Sequence, residues 1–500
     1  MSKQFLNFNN VSFGYENSAS DIFSKISFKI TTGWVGITGA NGSGKTTLLK
    51  LSCGLLVHHM GNIERPTNSY YNEQRTDIAP FAFGELLNSF DKYSFQLTKI
   101  LSIEPGWINR WNTLSHGERK RVQIACALWK QPDLLAIDEP TNHLDAQTKE
   151  MVVNSLKSYK GIGLIVSHDR ELLENLCEQF LFIDPPNIDY RRSKLSEAIN
   201  LRKSENEFAI KQLEIKQIEI NKLEQEYKRR SALVERSKRK SSKKNIDKKD
   251  RDAKAKIDFG RLTGKDAVGG SLKTQMFGRI EKTKAEMNTI IVKREYQTGI
   301  SLSNSVSKRN YLLNLQPGSL NLAEDKELFY EKLIIGTRDR IAITGANGSG
   351  KSTLLRYLLE HLNAEPENIT YIPQEISVDE TKKLMVEIKK LSNDHLGKLM
   401  IIISRLGSDA KRVLATDIPS PGETRKLLLG LGIAKNPHII IMDEPTNHMD
   451  VASIECLEDA LKNVSCSLLL VSHDKQFLNN LTTREWKIVK DINAFRLTSR

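Results

Sequence analysis

Nowhere in its 500 residues does the chain run apolar for the roughly 18–20 positions that a membrane span needs, and its first residues, MSKQFLNFNN, lack the apolar core of a secretory signal. A membrane-embedded or secreted protein is not expected; a cytosolic one is. Cysteine is scarce, and Cys53, Cys126, Cys177, Cys456 and Cys466 are scattered without a C-x-x-C pair. That argues against a disulfide scaffold or a structural zinc site, and for reduced packing residues. Glycine and proline are missing altogether from Asn187 to Phe259, a stretch rich in Glu, Lys, Gln and Ile, where a long helix is expected.

What the chain does have is length for about three domains and enough apolar residues, 39%, for sizeable cores. It also has a repeated loop. GANGSGKT spans Gly39, Ala40, Asn41, Gly42, Ser43, Gly44, Lys45 and Thr46; GANGSGKS spans Gly345, Ala346, Asn347, Gly348, Ser349, Gly350, Lys351 and Ser352. One such match is moderate evidence, because glycine turns also precede helices for conformational reasons. Here an apolar β-type run, Trp34–Thr38 or Ile341–Thr344, feeds each loop, and a helical pattern with Leu48 and Leu49, or Leu354 and Leu355, leaves it. That is the context a phosphate cradle requires: inward backbone N–H groups, a helix N-terminus, and Lys45 or Lys351 on the terminal phosphates. Thr46 and Ser352 supply the hydroxyl for Mg²⁺.

Downstream, LLAIDEP (Leu134–Pro140) and IIIMDEP (Ile439–Pro445) read as buried strands ending in two carboxylates. Open α/β sheets bind ligands at that edge. Asp138 and Asp443 are expected in the Mg²⁺ shell, and Glu139 and Glu444 as the bases that polarise water at the γ-phosphate. The plainer reading is a strand followed by an acidic turn. After each pair come TNHLD (Thr141–Asp145) or TNHMD (Thr446–Asp450) and then VSHD (Val166–Asp169 or Val471–Asp474). From Ser115 to Ser420, Asp138 to Asp443, Asn142 to Asn447 and His168 to His473 the offset is 305 throughout. Such a register means a duplicated domain. Y-x-x-Q recurs at Tyr71–Gln74 and Tyr371–Gln374, but with an offset of 300.

This order of phosphate loop, glutamine, Ser-x-Gly-Glu, carboxylate pair, Asp loop and histidine resembles the ATP-binding cassette (ABC) ATPases. The resemblance implies an α/β fold with two P-loop nucleotide-binding domains, ATP and Mg²⁺ as cofactors, Gln74 and Gln374 near the metal, and His168 and His473 contacting the γ-phosphate. It also implies that Ser115, Gly117 and Glu118 of one signature, and Ser420, Gly422 and Glu423 of the other, face the nucleotide of the opposite cassette. One ATP site would then join Gly39–Thr46 to Ser420–Glu423, and the other Gly345–Ser352 to Ser115–Glu118. The family's first signature glycine is replaced by His116 and Pro421, and proline removes a backbone donor. Tyr15 resembles the adenine-stacking aromatic. Aligning Phe23 with Phe329 puts Asn321 at its place in the second copy, so no second platform is identifiable.

Between the cassettes, Leu213, Ile220, Leu223 and Tyr227 form one apolar stripe and Met276, Ile280, Met287 and Ile291 another, as in an antiparallel helical hairpin. Lys228–Lys256 holds 14 basic against 4 acidic residues, a local excess of 10 in a chain of net charge +13. A charge run is usually a solvated face. Its concentration on one element, with few aromatics interleaved, instead suggests backbone contact with structured nucleic acid. Arg236, Lys238, Arg239, Lys240, Lys243 and Lys244 are the candidate RNA contacts, and the apex is either Arg236–Lys249 or Gly260–Gly270. The domains expected are a first cassette over 1–186, a basic linker over 187–304 and a second cassette over 305–500. Two cassettes joined by such a linker resemble the ABC-F class, whose members act on ribosomes, some on stalled translation and others in antibiotic protection. The resemblance implies a monomer with rRNA and tRNA as partners and no membrane. The alternatives are the ATPase subunit of a membrane transporter and a nucleotide-gated RNA scaffold with little turnover.

Overall fold

The computed structural model describes residues 5–16, 21–142, 144–240, 265–290, 309–323, 326–408, 410–416, 419–447, 449–491 and 494–499. The first cassette runs β1 (Leu6–Phe13), β2 (Phe23–Ile30), β3 (Gly33–Gly39), α1 (Lys45–Cys53), β4 (Met60–Glu64), β5 (Ser69–Asn72), α2 (Ala82–Asn88) and α3 (Lys92–Ile100). It continues with α4 (His116–Trp129), β6 (Leu134–Asp138), α5 (Ala146–Leu156), β7 (Ile162–Val166), α6 (Arg170–Leu176), β8 (Gln179–Asp184) and β9 (Asn187–Arg191). Two long helices follow, α7 (Leu195–Lys240) and α8 (Lys265–Thr289). The second cassette begins with β10 (Leu313–Leu315), β11 (Gly318–Ala323), β12 (Lys326–Tyr330), β13 (Leu333–Ile335), β14 (Arg340–Gly345), α9 (Lys351–Glu360) and β15 (Ile369–Ile372). Then come α10 (Val378–Lys389), α11 (Asn393–Arg405), α12 (Ala410–Ala415), α13 (Pro421–Ala434), β16 (Ile439–Asp443), α14 (Val451–Lys462), β17 (Ser467–Val471), α15 (Lys475–Leu481), β18 (Arg484–Lys490) and β19 (Phe495–Ser499).

Both cassettes are built on one sheet plan. In the first the strand order is β5-β6-β7-β3-β8-β9, and in the second β15-β16-β17-β14-β18-β19, extended by β12 and β11. Five of the shared strands are parallel and the sixth closes the edge antiparallel. The strands β6, β7, β16 and β17 are buried at every position, as expected of parallel strands covered on both faces. Each phosphate loop leaves the sheet from β3 or β14, and the carboxylate pairs end the parallel strands β6 and β16, each separated from the loop strand by one strand, β7 or β17. The motifs therefore meet at one sheet edge.

The chain divides into two compact units, residues 1–198 with 296–500, and 199–295. In the second unit α7 and α8 form an antiparallel pair. Ile220 packs inward on one helix and Met276 and Ile280 on the other, Tyr227 lies against Phe277 with ring centroids 6.2 Å apart, and Lys216–Glu286 (2.7 Å) and Lys284–Glu224 (2.9 Å) flank the seam. Of the expected stripes, Leu213, Leu223 and Met287 are half-buried, and Ile291 lies outside the described residues. The helix does not begin at Asn187. Residues 187–191 pair with β8 as the edge strand β9, because their alternating apolar Ile188 and Tyr190 pack on the first core, which helix propensity alone does not see. Of the candidate RNA contacts, Arg236, Lys238, Arg239 and Lys240 fall in the last turns of α7. Positions 241–249, with Lys243 and Lys244, and positions 260–264 lie outside the described residues.

Candidate functional site

The two phosphate loops are built alike. Gly44 and Gly350 stand immediately before α1 and α9 in the left-handed region, φ 98° and 92°. A Cβ at either would also lie within 2.7 Å and 2.5 Å of Ile22 and Leu322, so only glycine fits. Lys45 Nζ folds back to donate to the carbonyls of Gly39 and Ala40 (2.9 and 3.1 Å), and Lys351 Nζ to those of Gly345 and Ala346 (2.9 and 3.0 Å). Burial lowers both ammonium pKa values, against the opposing pull of the nearby carboxylates. Thr46 Oγ1 donates to Asp138 Oδ2 at 2.6 Å, and Ser352 Oγ to Asp443 Oδ2 at 2.7 Å. A hydroxyl and a carboxylate oxygen at one point form a donor set suited to Mg²⁺.

Glu139 and Glu444 follow at φ 48° and 49°, the left-handed region in which non-glycine residues are strained. The backbone holds them there through N–H bonds to Val166 O (2.9 Å) and Val471 O (2.8 Å). Both carboxylates are buried, and Oε1 of each has no hydrogen-bond partner among the described residues. Burial is the main cause that raises the pKa of each, to about 7 for Glu444. His168 Nε2 stands 3.3 Å from Glu139 Oε1, and His473 Nε2 3.4 Å from Glu444 Oε1. His473 also meets Asn347 Oδ1 at 3.1 Å. A strained, desolvated carboxylate beside an imidazole, a loop lysine and a hydroxyl–carboxylate pair is equipped to polarise water against a phosphate.

Burial, aided by Lys351 and Lys149 and opposed by Asp145, pushes the His473 imidazole down to about 4. A depressed histidine pKa favours the folded state above the unfolded value of about 6.5, and that stability is lost as the pH falls from there through about 4. His473→Gln is therefore expected to flatten the loss of thermal stability between pH 6.5 and 4, by at most about 3 kcal/mol. Unfolding curves at pH 7, 5.5 and 4.5 check this; identical slopes in parent and variant would rule it out.

The glutamines are equivalent despite their offset of 300. Tyr71 pairs with Ala136 in β6 and Tyr371 with Ile441 in β16, and Ala136 and Ile441 are themselves 305 apart. Length differences between β3 and β5, and between β14 and β15, absorb the change. Each glutamine turn is anchored by a cation from further along the chain, in α4 or α13. Lys120, fully buried, donates to Glu73 O (2.9 Å) and Gln74 O (3.2 Å), while Arg425 donates to Gln374 O and Asn447 O. Sequence reasoning missed this pair. The signal was available, since 120 and 425 are also 305 apart, but a buried cation on an amphipathic helix looks like a surface residue.

Ser115 and Ser420 cap α4 and α13, each with a complete capping box to Glu118 or Glu423: Ser115 N donates to Glu118 Oε2 at 2.7 Å and Ser420 N to Glu423 Oε2 at 3.0 Å. Gly117 and Gly422 lie in these first turns. Pro421 occupies the start of α13, a position whose N–H a helix leaves unused. The lost donor therefore costs the helix nothing. Tyr15 is half exposed, with its hydroxyl 3.1 Å from Thr47 Oγ1 beside the first loop. In the second cassette Leu322 and Lys326 line the cavity beside the second loop, and Asn321 is not among its lining residues.

The cassettes touch reciprocally. Asp145 and Asp450 each cap a helix with Oδ1, through Thr148 N (2.9 Å) and Ser453 N (2.8 Å). With Oδ2 each accepts from the opposite loop, Asp145 from Asn347 N (3.5 Å) and Asp450 from Asn41 N (3.3 Å). Burial alone would raise both carboxyls, yet these N–H bonds and the cap hydroxyls or nearby cations hold them below the usual range. A cavity of about 410 Å³ is lined by Lys351, Ser352, Gln374, Asp443, Glu444, Asn447 and His473, and by Thr141, Leu144 and Lys149 of the first cassette. Ser115–Glu118 are not among its lining residues; Gly117 packs toward Leu144 and Thr148 instead.

The family model described as "ABC transporter" matches residues 23–142 and 332–447. The "Ribosome protection protein VmlR" of Bacillus subtilis is 29% identical over 492 residues, covering 96% of this chain and 86% of that protein. A "Probable ATP-binding cassette sub-family F member 3 homolog" of Encephalitozoon cuniculi is 27% identical over 473 residues, covering 91% and 75%. Among solved structures, "RNase-L Inhibitor" superposes with a TM-score of 0.62 at 18% identity, covering 98% of this chain and 90% of that one. The archaeal ribosome recycling factor aABCE1, solved with stalk protein aP1, gives 0.61 at 18% identity over 98% and 89%. These two likenesses concern the fold. No helix among the described residues is long and apolar enough to cross a membrane.

Proposed function

We propose that the chain is a tandem-cassette ATP hydrolase of the ABC ATPases, in their ABC-F class, and that it binds two ATP between its cassettes and uses their closing and opening to act on the ribosome. The observation that carries this reading is the reciprocal reach of each Asp loop onto the opposite phosphate loop, Asp450 to Asn41 and Asp145 to Asn347. A nucleotide bound at either loop then has both cassettes as neighbours, so its binding energy favours closure. Thr46, Asp138 and Gln74 in one site, and Ser352, Asp443 and Gln374 in the other, would hold Mg²⁺, which would supply neutralisation of the charge that develops on the phosphates. Lys45 and Lys351 clamp the phosphates, Ser115 and Ser420 approach the nucleotide of the opposite cassette, and Glu139 and Glu444 orient and deprotonate the attacking water, with His168 and His473 beside them. Tyr15 offers one adenine a ring. The chain acts as a cytosolic monomer.

The ribosome enters through the basic segment at the end of α7 and through a relative named as a ribosome protection protein. Replacing Lys238, Arg239, Lys240, Lys243 and Lys244 with Gln is expected to weaken ribosome binding and to lower the log–log salt slope by about one per lost phosphate contact, with basal ATPase retained. Co-sedimentation from 50 to 300 mM salt, roughly the range over which such contacts are screened, reads this directly. An unchanged slope would leave the charges a solubilising role only. A scaffold without turnover finds little support, since both glutamates are retained, buried and beside a histidine. A transporter subunit has no use for the α7–α8 arm.

A further inference from the structure

Among the matched positions at which the duplicated halves differ, one lies between the two sites. Asp145 and Asp450 start α5 and α14 in the same way, and the next matched pair, Thr148 and Ser453, completes both caps. The following residues, again 305 apart, are Lys149 and Ile454. Ile454 is buried in the core of its own cassette and reaches only the small gap between the two sites, as an apolar side chain. Lys149 instead points to the cassette boundary, its Nζ 2.8 Å from Asp169 Oδ2. It lines the cavity of the second site together with Lys351, Ser352, Asp443, Glu444 and His473. It also lines the small gap in which Glu139, His168, Glu444 and His473 converge. No cation at 454 returns the favour to the first site. The matched acids diverge likewise: Asp169 is paired by Lys149 of its own cassette, whereas Asp474 is paired by Arg170 of the opposite one at 3.2 Å.

We propose that Lys149, carried by the first cassette, is a positioning residue for hydrolysis at the second ATP site, and that the exchange of Lys149 for Ile454 makes the two sites unequal. This rests on the reading that ATP binds between the cassettes. In the reaction, the water oxygen bonds to the γ-phosphorus while the bond to the β–γ bridging oxygen breaks. The water proton passes to Glu444, and ADP leaves with the bridging oxygen. The Lys149 ammonium, held 2.8 Å from Asp169 Oδ2, lines the second site with Glu444 and His473, where a fixed positive charge stabilises the charge that develops on the transferring phosphoryl group. Because the cation crosses from the other cassette, it reaches the second site only on closure. The first site, facing Ile454, lacks this control.

The test isolates each site in the full chain, with Glu139→Gln leaving the second competent and Glu444→Gln the first. Lys149→Met is expected to lower kcat about tenfold more in the first background than in the second, with little change in the KM for ATP. Lys149→Arg should recover most of the loss, and Ile454→Lys should narrow the difference between sites. Lys149→Met with Asp169→Asn removes both charges, so a loss that persists there does not come from an orphaned Asp169. Equal losses in both backgrounds, or none, would overturn the proposal. Fewer than two ATP retained per chain by the Glu139→Gln, Glu444→Gln protein would instead overturn the reading beneath it.

Discussion

Glu139→Gln combined with Glu444→Gln is expected to cut ATP turnover by about 100-fold or more while ATP binding survives and ribosomes stay bound in its presence. Each glutamate is the residue after a strand end, forced to positive φ and buried with an unpartnered Oε1 next to a histidine. Glutamine keeps the shape and can still accept the His473 N–H that reaches Glu444 Oε2 at 3.2 Å, but it cannot take a proton. The exchange also removes two carboxylates whose ionisation burial opposes, so the closed form gains rather than loses stability. Phosphate release and co-sedimentation with ribosomes read the two halves of the result. Turnover above a tenth of the parent would remove the glutamates from the base role. Ribosome-free sedimentation in ATP would remove the ribosome from the account.

Arg170→Met is expected to be the most damaging single change at the cassette boundary, costing about 3–5 kcal/mol of closure. The Arg170 guanidinium is buried, bonds Glu458, and stands 3.2 Å from Asp474. Burial works against its charge, but the two carboxylates outweigh that and raise its pKa further. Its loss leaves buried Glu458 with Asn480 Nδ2 as its neutral donor, at 2.9 Å. The counterpart contact, Lys475 to Glu171 at 3.1 Å, is more than half exposed on both sides; Lys475→Met there is expected to cost under about 1 kcal/mol. The ATP concentration that half-closes the protein, measured in the double-glutamine background, should rise about 100-fold or more for Arg170→Met and little for Lys475→Met. Adding Glu458→Gln to Arg170→Met should recover part of the loss. Equal effects of the two single changes would mean that the boundary is not built as described.

Much of this site is legible in the sequence because its geometry is made of backbone. Gly44 and Gly350 must be glycine, the strands before them must be buried, and a carboxylate pair at the end of a parallel strand has one use beside a phosphate loop. Residues that act across the chain were not legible in the same way. Lys149, Arg170, Lys120 and Arg425 look like ordinary helix-surface cations, and only the fold shows that each is enclosed by partners distant in sequence. The edge strand β9 was hidden by its helix-permitting composition, and the glutamine offset by unequal segments before β5 and β15. Leu322 could not be aligned because the antiparallel pair β11–β12 closes at Ala323 and Lys326, a far shorter connection than the one from Phe13 to Phe23 between β1 and β2.

The central claim is that nucleotide draws the two cassettes together in one chain. Glu171→Cys with Lys475→Cys, whose native side chains meet at 3.1 Å across the boundary, provides the direct probe in the Glu139→Gln, Glu444→Gln protein. A short thiol crosslinker should join the two positions rapidly in ATP with Mg²⁺ and far more slowly without nucleotide. Crosslinking at the same rate in both conditions would contradict the account.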